Sequence, residues 1–146
     1  MNKFIRIFNI ALILIQLGIS CYLITQYDLI PIHWDISGAI DSYGSPSVSL
    51  IIPLLSLITW GMIFFVKNHP DWWNVRNEIK KSAAGISIIR QMFDCMTAWS
   101  MILMTFLMYS ILRGKLFMIG LMFIFALLAC IIVFFIKRIN CPDKES

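Results

Sequence analysis

The sequence predicts an all-α membrane protein: a four-transmembrane-helix bundle with a structured outer loop and a cytoplasmic interfacial amphipathic helix. Three observations predict it. The 146-residue chain is 60% hydrophobic and only 14% charged, where soluble domains carry about 25% charged residues. Four apolar runs, near 4–27, 48–66, 93–112 and 116–136, each approach the roughly 20 residues that a hydrocarbon core requires. They are too long for barrel strands, and in lipid only helices and closed barrels satisfy every backbone polar group. A single integral membrane domain, 1–146, accounts for the chain.

The first run begins with Lys3 and Arg6 in the manner of a signal peptide, but its apolar part is too long and no A-x-A-like site follows, so an uncleaved anchor is expected. "LGIS" before Cys21 lacks the small residues of a lipoprotein site. A polar segment, 28–47, comes next. At its end Ser45 and Pro46 have the chemistry of an N-cap and a first helical position. Pro53 then falls inside the second span, where it cannot donate to the Ser49 carbonyl, and a kink is expected. The same helix N-terminus is expected to favour the charge of Asp41.

Between the second and third spans, Trp72, Val75, Ile79, Ala83, Ile86 and Ile89 recur at spacings of three and four, while Arg76, Lys80, Lys81 and Ser87 take other faces. This predicts an interfacial helix over 69–90, with Trp72 and Trp73 at headgroup depth. A surface connector is the simpler reading and a partner-binding helix the alternative. In the third span Asp94 stands one turn from Arg90, an expected pair; a buried acid also raises a proton or ion role. Met101, Met104 and Met108 form a packing stripe.

Lysine and arginine placement sets the topology. Lys3 and Arg6 precede the first span; Lys67, Arg76, Lys80, Lys81 and Arg90 lie between the second and third; Lys137, Arg138 and Lys144 follow the fourth. Segment 28–47 has neither Lys nor Arg, and only Arg113 and Lys115 oppose this orientation. Both termini are therefore expected in the cytoplasm and 28–47 outside. The net charge of +4 reflects this topology, and no nucleic-acid partner is expected. Cys21, Cys95, Cys130 and Cys141 show no C-x-x-C spacing, so neither disulfides nor a thiolate metal site are indicated.

The outer segment carries Asp28, Asp35, Asp41 and His33 without a basic side chain, and a cationic ligand suits it electrostatically. His33, Asp35 and Asp41 are of the types that hold a divalent metal, but without a recognised spacing; the alternative is a structural loop in which His33 caps backbone groups. Nearby serines form no nucleophile elbow, and H-E-x-x-H, the P-loop and the dinucleotide fingerprint are absent. His69 is expected on the opposite side of the membrane from His33, which excludes a bis-histidine haem. No enzyme activity and no cofactor are expected.

The string Ile30-Pro31-x-His33-Trp34-Asp35-x-x-Gly38-x-x-Asp41-x-Tyr43-Gly44-Ser45 resembles the signature of a bacterial membrane-domain family of unknown function, roughly I-P-x-H-[FW]-[ND]-x-x-G-x-x-D-x-[YW]-G-S. That domain also forms the N-terminal part of SdpI-type immunity proteins, which protect cells from a killing peptide. "NHPDWWN" after the second span is similar to a further family position. Pro46 stands where the family often has lysine, and the proline expected soon after Asn74 is missing. The sequence has four spans and none of the additional C-terminal region of full immunity proteins, so protection and repressor sequestration do not simply transfer.

The resemblance implies a multi-pass protein of the bacterial cytoplasmic membrane. Pro31, Gly38 and Gly44 would fix the loop backbone, Trp34 and Tyr43 would anchor at the interface, and His33, Asp35 and Asp41 would recognise a ligand. The partners expected are the lipid bilayer and a cationic membrane-active peptide or another membrane protein, with the oligomeric state open. The alternatives are a small transporter or ion-coupled protein, using Gln16, Ser56, Thr59, Ser100, Thr105 and Asp94, and a metal-dependent membrane enzyme.

Overall fold

The computed structural model describes residues 3–140; Cys141 and Lys144 lie outside them. Helix α1 spans Lys3–Gln26, strands β1 (Ile30–Trp34) and β2 (Ile40–Gly44) form an antiparallel hairpin, and a 3-10 turn over Pro46–Leu50 leads into α2 (Ile51–Asn68). A second 3-10 turn (Pro70–Trp72) and the short α3 (Asn77–Lys81) precede α4 (Ala83–Arg113), and α5 covers Met118–Asn140. Four of the helices are long and apolar enough to cross a membrane, and the protein is a multi-pass membrane protein. The hairpin and the α4–α5 turn share one side of the bundle; the start of α1 and the end of α5 share the other, the terminal side.

The buried face of α1 is its polar one: Asn9, Ile13, Gln16, Ser20 and Leu23 turn inward, while Phe4 and Leu14 are exposed. A bilayer produces this inversion, because lipid tails solvate apolar side chains while polar groups find hydrogen-bond partners only in the interior. Helix α4 is the centre. It packs against α1, α2 and α5, whereas α1 and α2 touch each other less. The outlying α5 is secured to α4 by the Trp99 indole, which donates to the Ile124 carbonyl at 2.7 Å, and by Arg138, which donates to Gln91 at 3.0 Å.

The structured segment expected over 28–47 is a β-hairpin. Other expectations are corrected. The interfacial helix over 69–90 is broken, and its second half belongs to α4, which at about 1.5 Å per residue is roughly 46 Å long and projects beyond the hydrocarbon core. Ser82 makes the break: its backbone is extended and its hydroxyl accepts the Gly85 N–H at 3.3 Å, capping α4. Trp72 is exposed, whereas Trp73 is buried and its indole donates to the Val66 carbonyl at 2.8 Å.

The Ser45 hydroxyl does not cap; it shares a hydrogen bond with the Ser47 hydroxyl. Pro46 does open the turn. Because α2 starts at Ile51, Pro53 lies in its first turn, where an amide has no helical partner anyway. The Ser49 carbonyl, which Pro53 cannot serve, accepts the Ser20 hydroxyl of α1 at 3.3 Å. This bond ties α1 to the 3-10 turn that leads into α2.

Candidate functional site

Asp35 builds the hairpin turn. Its Oδ1 accepts from the Ser37 amide (2.8 Å), the Ser37 hydroxyl (2.6 Å) and the Ala39 amide (2.9 Å). Its backbone amide donates to the Ala39 carbonyl, and its carbonyl accepts from Gly38. These bonds favour the carboxylate, and the Ser37 hydroxyl leads in holding the Asp35 carboxyl below its ordinary 3.8. Asp35 therefore serves the turn through one carboxylate oxygen. Gly38 completes the turn with φ +83°, and a Cβ there would lie 2.8 Å from the Leu116 carbonyl oxygen. Only glycine permits both the conformation and this approach. The hairpin tip is seated on the turn between α4 and α5.

The strands place the other signature residues. Ile30 pairs with Gly44 and Pro31 with Tyr43; the register shifts at His33, opposite Ser42, and returns at Trp34 and Ile40. His33 Nδ1 and Asp41 Oδ1 lie 2.5 Å apart on the exposed face, their side chains 68% and 45% exposed. His33 thus pairs with a carboxylate instead of capping backbone, and Asp41 takes its bond from His33, not from a helix N-terminus. Trp34 is half-buried against a cluster of Leu23, Ile30, Met108 and Ile111, and so anchors the hairpin to the helices. Tyr43 is exposed, and a Cβ at Gly44 would lie 2.9 Å from the Ile32 side chain.

The structure joins His33 with Asp41 and leaves Asp35 in the turn. Among the described residues no group of three or more His, Cys, Asp and Glu is arranged to hold a metal. Beneath the hairpin lies a pocket of about 330 Å³, walled by Tyr27, Pro31, Ile40 and Tyr43 on one side and by Ile111 and Arg113 of α4 on the other. Its lining mixes apolar side chains with two tyrosines and the Arg113 side chain. That guanidinium was missed in the sequence, where Arg113 counted only in the topology; the hairpin side is of mixed charge, not simply acidic.

A second polar constellation lies inside the bundle. The Ser56 hydroxyl donates to Gln16 Oε1 at 2.7 Å, Gln16 Nε2 donates to the Thr105 hydroxyl at 2.9 Å, and Thr105 donates to the Met101 carbonyl at 2.8 Å. One glutamine thereby bonds α1 to both α2 and α4. Asp94 does not pair with Arg90: its carboxylate is ion-paired with Lys67 of α2, and both side chains are buried. The rings of Trp73 and Phe93, beside this pair, meet at a tilt of 48° with centroids 5.8 Å apart. The signal for it was Lys67 at the end of an apolar run, which topology counting treated as a loop residue. Both polar atoms of the buried Asn9 amide lack a protein partner.

Residues 11–57 match a protein family described as "Domain of unknown function (DUF1648)". The matched stretch contains most of α1, the whole hairpin and the start of α2, and so includes Gln16, Ser56 and all the signature residues. No curated protein and no solved structure matches the chain.

Proposed function

We propose that the protein is a non-enzymatic membrane receptor or immunity protein of the SdpI-like type, which binds an amphipathic, membrane-active peptide at its hairpin side. The observation that carries this reading is the docked hairpin. Its tip is seated on Leu116, its base covers the pocket, and its outward face presents the His33–Asp41 pair. An apolar side chain of the peptide enters the pocket, Arg113 meets a carboxylate, and Asp28 and Asp41 meet cationic groups. The signature in 30–45 supports the same assignment. In this reading the protein sits in a bacterial cytoplasmic membrane, with both termini cytoplasmic and the hairpin outside, as the lysine and arginine distribution favours.

The test is survival of cells challenged with the cognate peptide, comparing wild type with His33→Ala, Asp41→Ala and Arg113→Gln at equal membrane levels. Loss of protection is expected in each. Full protection by all three removes the hairpin side from the mechanism. A second reading, an ion-coupled transporter, is favoured by the buried Lys67–Asp94 pair, because ionisable groups within a membrane mark ion pathways. An ion flux in proteoliposomes that Asp94→Asn abolishes while the protein remains folded would establish it in place of the first.

A further inference from the structure

Toward the hairpin side α1 is bonded to the 3-10 turn through Ser20 to Ser49 and to α2 through Gln16 to Ser56. Toward the terminal side a groove of about 380 Å³ opens between α1 and α2, lined by Arg6, Leu57, Trp60, Gly61 and Phe64. Its floor is Gly61, which has nothing within 4 Å of the position a Cβ would occupy. Leu57 and Phe64 are 47% and 50% exposed, so the groove faces hydrocarbon. The antiparallel register set by Gln16 and Ser56 places Leu57 about nine residues along the axis from Arg6. At about 1.5 Å per residue the groove is roughly 14 Å long.

Arg6 is exposed at the terminal end of this groove. Among the described residues Arg6 has no carboxylate partner. Its long stem reaches the headgroup layer while its methylenes stay in the apolar region, and Lys3, one turn earlier, adds a second positive charge there. A ligand of this groove therefore has an apolar chain of about that length and an anionic end.

We propose that the α1–α2 groove binds one anionic phospholipid, with an acyl chain laid across Gly61 between Leu57 and Phe64 and its phosphate held by Arg6. A guanidinium gives a phosphate two parallel hydrogen bonds as well as charge, and the anionic headgroup distinguishes this lipid from the zwitterionic lipid around it. The site is independent of the hairpin and of the proposed peptide.

The full chain, purified in mild detergent, is offered phosphatidylglycerol or phosphatidylcholine, and retained lipid is counted by native mass spectrometry. Wild type is expected to retain one phosphatidylglycerol in preference to phosphatidylcholine. Arg6→Gln should reduce that retention by about fivefold, the usual value of one basic residue near an anionic lipid. Arg6→Lys should keep most of it. Gly61→Leu fills open space in a helix, so it should abolish retention without lowering the thermal unfolding midpoint. Equal retention of the two lipids, or retention unchanged in both Arg6→Gln and Gly61→Leu, overturns the proposal. Disulfide-linked dimers formed by Gly61→Cys in liposomes also overturn it, since they show a second copy in the groove.

Discussion

Replacing Gly38 with alanine tests whether the hairpin is a docked element. At φ +83° an L-residue costs roughly 1–2 kcal/mol. The added methyl would also stand 2.8 Å from the Leu116 carbonyl oxygen and 3.5 Å from Met118 Cγ, and such overpacking costs about 1–3 kcal/mol where backbone must move. The lower bounds sum to about 2 kcal/mol, which raises the population of the undocked hairpin about 30-fold. Gly38→Ala should therefore accelerate exchange of the Asp35, Gly38 and Ala39 amides, which close the turn, while the core of α4 remains protected. The measurement is hydrogen–deuterium exchange in nanodiscs. Gly18→Ala is the control, because no atom lies within 4 Å of its added methyl. Exchange at the turn unchanged in Gly38→Ala would refute the claim that the tip is seated on the α4–α5 turn.

Asp94→Leu alone leaves the Lys67 ammonium buried without its partner and should cost about 3–5 kcal/mol; Lys67→Met in the same protein should recover most of that, read as unfolding midpoints in a double-mutant cycle. Ser56→Ala removes a donor from Gln16 and should cost about 0.6–1.7 kcal/mol by the same assay. Because the folded hairpin lowers the Asp35 carboxyl, its contribution to the turn is present above the ordinary carboxylate value and is lost as pH falls through the lowered one. Exchange at Ser37 and Ala39, corrected for intrinsic rates, should rise at the acid end of a titration, and Asp35→Asn should remove that pH dependence.

The four spans, the opening of the 3-10 turn at Pro46 and the organised segment between the first two spans were legible because each rests on local chemistry. A long apolar run must be helical in lipid, proline at a first helical position gives up no bond, and a cluster of Pro, Gly and Asp bends the chain. The signature positions were legible as a group, but their roles were not. Asp35 serves the turn because Ser37 and Ala39 lie within its reach, and Trp34 packs inward because Leu23, Met108 and Ile111 come from two distant helices. The amphipathic period over 69–90 was real, yet Ser82 divides it, since an internal N-cap competes with helix continuation.

Composition and the lengths of the apolar runs put this chain in a bilayer, mark where it crosses, and set residues 30–45 apart as one polar unit between two spans. Which polar groups meet follows from how the helices pack. Asp94 could reach Arg90 along its own helix or Lys67 on another; the structure pairs it with Lys67. Gln16, Ser56 and Thr105 become one hydrogen-bonded chain only in the register at which α1, α2 and α4 cross. Hydropathy and local period depend on neighbours along the chain, whereas an ion pair or a hydrogen bond depends on distances that helix packing alone sets.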